Sequence, residues 1–370
     1  QLLSCVISKM ATTEHFFVVP NEDIDTSNSM KIPHVVVLKN SEGDSLSTLN
    51  TGLPQGIKIT GGAKLRDAGY TGKGVKVAVI DSGVDKDHPG FNGKVTKQVW
   101  YRSGSPLSSD YHGTHVAGTV HLMAPDAEIY DYRVFGRTGD YSVDRSIVLA
   151  IDQAVTDGCN VINMSLGGPS PFGQIRRAVK RAYNAGIIIV CAAGNEGDGN
   201  AFTNEISYPA TYTECISTAA VQKKDGLPVA SFSNSNNAVD YAGIGVNVLS
   251  FKPGGDVMRL SGTSMASPHV AGLVACILST SQVGERPDDE VLPPDEDTPS
   301  TGFDCCGLFG SSSVPPPADS APSPSGEFGK VKDDASLREV LNEKFLKDIG
   351  VTGPDNETGL GFLSYLSKDE

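Results

Sequence analysis

The sequence predicts an α/β fold, a mostly parallel sheet with helices on both faces. Three observations predict it. The β-branched runs Val75–Ile80, Val161–Met164 and Ile187–Val190 are continuously apolar, as strands buried on both faces are. Between them stand amphipathic stretches with helical spacing, such as Ser146–Thr156 and Gly173–Asn184. Glycine supplies 41 of the 370 residues, as tight turns and close backbone approaches require. Strands alternating with helices across residues 53–281 imply one parallel-sheet domain.

Residues 1–52 form a polar N-terminal extension with one strand-like run, Val35-Val36-Val37-Leu38. After the domain, residues 282–334 change character. The stretch 282–330 holds nine of the 22 prolines, two acidic groups (Asp288-Asp289-Glu290 and Asp295-Glu296-Asp297) and the adjacent Cys305 and Cys306. So little apolar surface cannot offset the entropy of ordering, which predicts a disordered insertion. Residues 335–370 return to the domain. Leu337, Val340, Leu341, Phe345 and Ile349 share one helical face, and Gly361–Leu366 reads as a closing strand.

Composition excludes several function classes. A net charge of −14 argues against a nucleic-acid partner, which needs clustered Lys and Arg. No apolar run reaches the ~18 residues of a membrane span, so no membrane partner is expected. A basic start followed by an apolar stretch is not visible, so no signal peptide is read. Seven cysteines are an odd number, and Cys159, Cys191 and Cys276 sit in apolar, core-like segments. A reducing, cytoplasmic setting is expected, with secretion the alternative if an upstream signal is missing. No pattern in the chain specifies an oligomeric state.

Three blocks carry chemistry. Val77–Gly83 is a buried strand ending in Asp81; His112–Thr119 reads His-Gly-Thr-His-Val-Ala-Gly-Thr; Gly262–His269 opens an apolar helix at Ser264. In open α/β sheets such strand ends and helix starts meet on one edge. A serine hydroxyl needs a base, histidine serves, and a carboxylate on the other ring nitrogen fixes the tautomer. Ser264 N–H would face an oxyanion, with Asn195 in Ala192–Gly197 the second donor. Taken singly, each block has a plainer explanation. Asp81 could be a turn residue and Ser264 a helix cap. His112 and His115 could hold zinc, but no third ligand follows. The Gly-x-Ser elbow of α/β-hydrolases needs a later histidine, and His269 on the same helix cannot reach back to Ser264. His88, His121 and His269 read as structural.

Together, in the order Asp, His, Ser, the blocks resemble the subtilisin-like serine proteases, the family in which that triad order is already known. Val161–Gly168, Ala192–Gly197 and Tyr208-Pro209-Ala210 extend the resemblance. It implies a three-layer subtilisin-like fold and a serine endopeptidase working through an acyl-enzyme. In it Asp81 orients, His112 is the base, Ser264 the nucleophile, Asn195 lines the oxyanion hole and His115 is structural. Ser165, Leu166, Gly167, Ala193 and Gly194 would bind protein and peptide substrates, with broad preference for large apolar residues before the cut. A catalytically silent peptide-binding protein is the alternative.

Leu53–Ile57, Cys191–Gly199 and Ser231–Asn234 are similar to the intracellular branch, where an Ile-Pro element restrains the active site; Ile32-Pro33-His34 stands in the matching place. Two departures stand out. The segment after Val120 is too short for the family's tight calcium loop, and Ile244 replaces a usual proline. No cofactor is required and no metal ligands are assigned. A weak calcium or other cation remains an expectation near Tyr208–Thr213 or Asp198–Asn200.

Overall fold

A computed structural model describes residues 17–18, 30–41, 43–104, 111–137, 139, 141–279, 331, 333–349 and 353–365. Its elements begin with β1 (Phe17–Val18), β2 (Val36–Leu38) and three short helices, α1 (Leu46–Thr51), α2 (Gln55–Ile59) and α3 (Gly62–Asp67). The alternation follows: β3 (Lys76–Asp81), β4 (Val95–Trp100), α4 (Tyr111–Met123), β5 (Glu128–Arg133), α5 (Val143–Thr156), β6 (Val161–Met164) and α6 (Gly173–Asn184). Then come β7 (Ile188–Ala192), β8 (Ile216–Val221), β9 (Tyr241–Ile244), β10 (Val248–Lys252), β11 (Asp256–Ser261) and α7 (Thr263–Leu278). Last are α8 (Asp334–Lys344), β12 (Leu346–Lys347) and β13 (Phe362–Leu363).

Nine strands form the main sheet in the order β12-β13-β9-β8-β7-β6-β3-β5-β4, every pairing parallel except β12 with β13. Side chains alternate along a strand, and β3 shows what that does. Val77 and Val79 enter a core with Val116 and Val120 of α4 and Val270 and Val274 of α7. Ala78 and Ile80 enter the opposite core with Ile147 and Ile151 of α5 and Ile175 and Val179 of α6. The result is the three-layer arrangement the sequence predicts.

A smaller antiparallel sheet, β1-β2-β11-β10, was not foreseen as a sheet; it joins the N-terminal extension to the strand just before α7. Two sequence readings are corrected. Phe345 leaves helical angles at φ −121°, so α8 stops at Lys344 and Ile349, though buried, is off its face. Asp333 and Asp334 belong with α8: Asp333 accepts from Ser336 N–H as its cap, so the helix begins inside the stretch read as insertion. Residues 282–330, with Cys305 and Cys306, lie outside the described residues. No described helix is long and apolar enough to cross a membrane.

Three histidines are locked inside this core uncharged. Burial lowers His115 to about 3 and His121 and His269 to about 4. Below about pH 6.5 the unfolded chain takes up these protons and the fold does not, so stability falls as pH drops towards the folded values. At pH 5 each histidine costs about 2 kcal/mol. Asp131 opposes them: burial raises its carboxyl to about 6, so its contribution grows in acid and offsets about 1 kcal/mol. A Ser264→Ala protein is therefore expected to melt roughly 5 °C lower at pH 5 than at pH 7. An unchanged or higher melting temperature at pH 5 would contradict this balance.

Candidate active site

Asp81 is the last residue of β3, held rigidly because Asp81 C=O accepts from Val134 N–H at 2.8 Å and its own Oδ1 accepts from Ser82 N–H at 2.6 Å. The start of α4 packs directly on the turn that follows. A Cβ at Gly113 would stand 2.5 Å from Gly83 O, so only glycine lets the helix come this close. His112 is thereby brought onto the carboxylate, its Nδ1 2.9 Å from Oδ1 and 3.0 Å from Oδ2 of Asp81. An ionised carboxylate only accepts, so Nδ1 carries the proton and neutral His112 keeps a bare Nε2. That Nε2 is buried with no hydrogen-bond partner.

Ser264 is the second residue of α7, where backbone N–H groups lack helical acceptors. Pro268, four residues on, has no N–H to offer, so Ser264 C=O is released from the helical ladder. Ser165 Oγ donates to it at 2.9 Å, while Ser264 Oγ makes only a long 3.4 Å bond to Ser165 O. Ser165 Oγ also accepts from Asn163 Nδ2 and meets Ser267 Oγ. The Ser165 side chain therefore faces inward to brace α7.

Asn195 follows β7. Its Oδ1 accepts from both Thr263 N–H and Thr263 Oγ at 2.8 Å, which fixes the amide and turns Nδ2 outward. Nδ2 donates to the backbone carbonyl of His34 at 2.8 Å. Three residues upstream, Lys31 and Gly167 exchange both backbone hydrogen bonds, 2.9 and 2.8 Å. A Cβ at Gly167 would meet Ser207 Oγ, which would have to turn aside to admit a side chain. Met30 and Ile32, on the same side of this extended segment, are buried in the cluster that holds Leu166. The segment 30–34 thus lies along Gly167 with one peptide carbonyl on Asn195.

Of the remaining sequence-predicted residues, Ala193 is buried and Gly194 N–H donates to Thr263 Oγ at 3.2 Å beside Asn195. Glu196, the nearest carboxylate in sequence, is engaged by Asn195 N–H and Asn234 Nδ2. His115 Nε2 donates to Val248 O, away from Asp81, and His269 Nδ1 donates to Met265 O within α7. Two partners escaped sequence reading. Thr263 as the holder of Asn195 was signalled by its place next to Ser264. Asp144, whose Oδ1 accepts from Met30 N–H at 2.8 Å, had no local signal. The residues after Val120 continue α4 to Met123. Among the described residues no three His, Cys, Asp or Glu side chains gather to hold a metal ion. Cys159, Cys191, Cys215 and Cys276 are buried and form no disulfide.

Residues 72–288 match the model of the subtilase family. The major intracellular serine protease of Bacillus subtilis (strain 168) is 40% identical over 242 residues, covering 61% of this chain and 75% of that protein. An intracellular serine protease of Paenibacillus polymyxa is 41% identical over 221 residues, 56% of this chain and 67% of its own. Subtilisin E of Bacillus subtilis is 39% identical over 237 residues, 61% of each.

Proposed function

The chain belongs to the subtilase family and is a serine endopeptidase close to the intracellular branch; on that premise we propose how its residues cut a peptide. The observation that carries the reading is the peptide-like seating of residues 30–34, with Lys31 paired to Gly167 and His34 O on Asn195 Nδ2. A substrate would take the same path by adding a strand to Gly167. His112 Nε2 removes the Ser264 Oγ proton as Oγ bonds to the substrate carbonyl carbon. The resulting oxyanion meets Asn195 Nδ2 and Ser264 N–H. His112 then passes its proton to the leaving amine, the C–N bond breaks, and water cleaves the acyl-enzyme by the same steps. Asp81 holds the imidazole in the tautomer that makes this exchange work.

Asn195→Ala is expected to lower kcat by ~10²–10³ with a smaller change in KM, the size known for the same donor in subtilisin itself. An unchanged kcat would remove Asn195 from the oxyanion hole.

Specificity follows from the lining. Gly167, Ala193 and Gly194 leave space, and the Glu196 carboxylate is already hydrogen-bonded. Large apolar or aromatic residues before the cut are favoured. Peptide-library profiling should show them enriched, and a sharp preference for Arg or Lys would overturn the pocket reading.

Buried cysteines that form no disulfide and the two relatives named intracellular support a cytoplasmic setting; exclusive recovery of the protein outside the cells that make it would refute that. The same segment 30–34, occupying the donor a substrate needs, acts as a restraint on the enzyme.

A further inference from the structure

Resting on the groove reading above, we infer that Asp144 is a substrate-positioning residue that marks the far end of the groove and binds the free α-amino group of a peptide. Three fixed points define the path. The carbonyl of His34 sits on Asn195 Nδ2, Lys31 is paired on both sides with Gly167, and the N–H of Met30 donates to Asp144 Oδ1 at 2.8 Å. The chain is thus gripped through its backbone at each point. Such contacts are blind to side-chain identity, so any extended peptide in this register presents the same N–H to Asp144.

The carboxylate is built into the fold rather than hung on the surface. Asp144 is only 8% exposed and stands in the first turn of α5, a 14-residue helix capped by Ser142, whose Oγ accepts from Arg145 N–H at 3.3 Å. Beside Asp144 the Met30 side chain is buried with Ile147 and Leu166, so the residue at this position also finds an apolar seat.

A carboxylate can only accept. From an internal residue it takes one neutral N–H. When the residue here is the first of a peptide, it meets an ammonium, and the bond becomes charge-assisted in a half-dry place. The substrate class this favours is a peptide with a free amino end, cut so that a short N-terminal fragment leaves. Met30 to His34 counts five residues, so the fragment is about four or five residues long.

The test uses the full-length enzyme and a ladder of peptide p-nitroanilides of roughly two to seven residues, each with a free and an acetylated amino end. The rate ratio of free to acetylated cancels any change in how tightly the N-terminal segment holds the groove. It should peak about tenfold at a single length in the unaltered chain. In Asp144→Asn, which keeps an acceptor and loses the charge, the peak should vanish. In Asp144→Ala, acetylated peptides of that length should also lose about fivefold relative to shorter ones. A flat ratio in the unaltered chain, or a peak surviving in Asp144→Asn, overturns the inference while hydrolysis itself leaves the groove reading intact. If no peptide of the ladder is hydrolysed through Ser264, it is the groove reading that fails.

Discussion

Ser264→Ala is expected to lower kcat by roughly six powers of ten, a magnitude carried over from the same change in subtilisin itself. The fold should survive it. Ser264 Oγ makes one long bond, 3.4 Å to Ser165 O, whereas the contact that braces α7 runs to the Ser264 backbone carbonyl from Ser165 Oγ at 2.9 Å. Alanine keeps that carbonyl and suits a helix better than serine. Melting temperature should therefore change little while casein hydrolysis disappears. Casein hydrolysis at the unaltered rate would remove Ser264 from the mechanism.

Deleting residues 1–48 is expected to raise the initial rate on a small peptide by about a hundredfold and to abolish any activation lag. The backbone bonds of Lys31 with Gly167 and of His34 with Asn195 contribute about 1 kcal/mol each, and a substrate must displace all of them. Beyond the site, β2 pairs with β11, and Asp44 grips Arg259 through bonds of 2.6 and 2.7 Å, so the segment is tethered in place. Ile32 lies between Lys31 and Pro33, where a proline next in sequence keeps it extended. Since the deletion also strips β2 from β11, a gentler variant is needed. Lys31→Pro removes one N–H from the pairing with Gly167 and should raise the rate about fivefold. Equal rates in all three proteins, with no lag in the full chain, would show that the segment is not a restraint.

The parts of this site legible in the sequence are those written locally. Asp81 ends an apolar strand, and Ser264 opens an apolar helix. The sheet and its two helical layers were readable for the same reason, since burial on both faces leaves continuous apolar runs. What distance in sequence separates was not readable. Met30 and Asp144 are 114 positions apart, and nothing near either announces the other. Leu38 faces Arg259 across an antiparallel pair whose partners share no pattern. Ile349 continues the spacing of α8 but lies beyond Phe345, where a single backbone angle ends the helix.

The central claim is that Ser264 is an activated nucleophile covered by the chain's own segment 30–34. Time-resolved labelling with a fluorophosphonate, read by mass spectrometry of the modified peptide, tests it most directly. The label should appear on Ser264, slowly in the full chain and about a hundredfold faster after residues 1–48 are removed, and His112→Ala should abolish it in both. Absence of label on Ser264 in the shortened chain, or equal labelling in the His112→Ala variant, would contradict the claim.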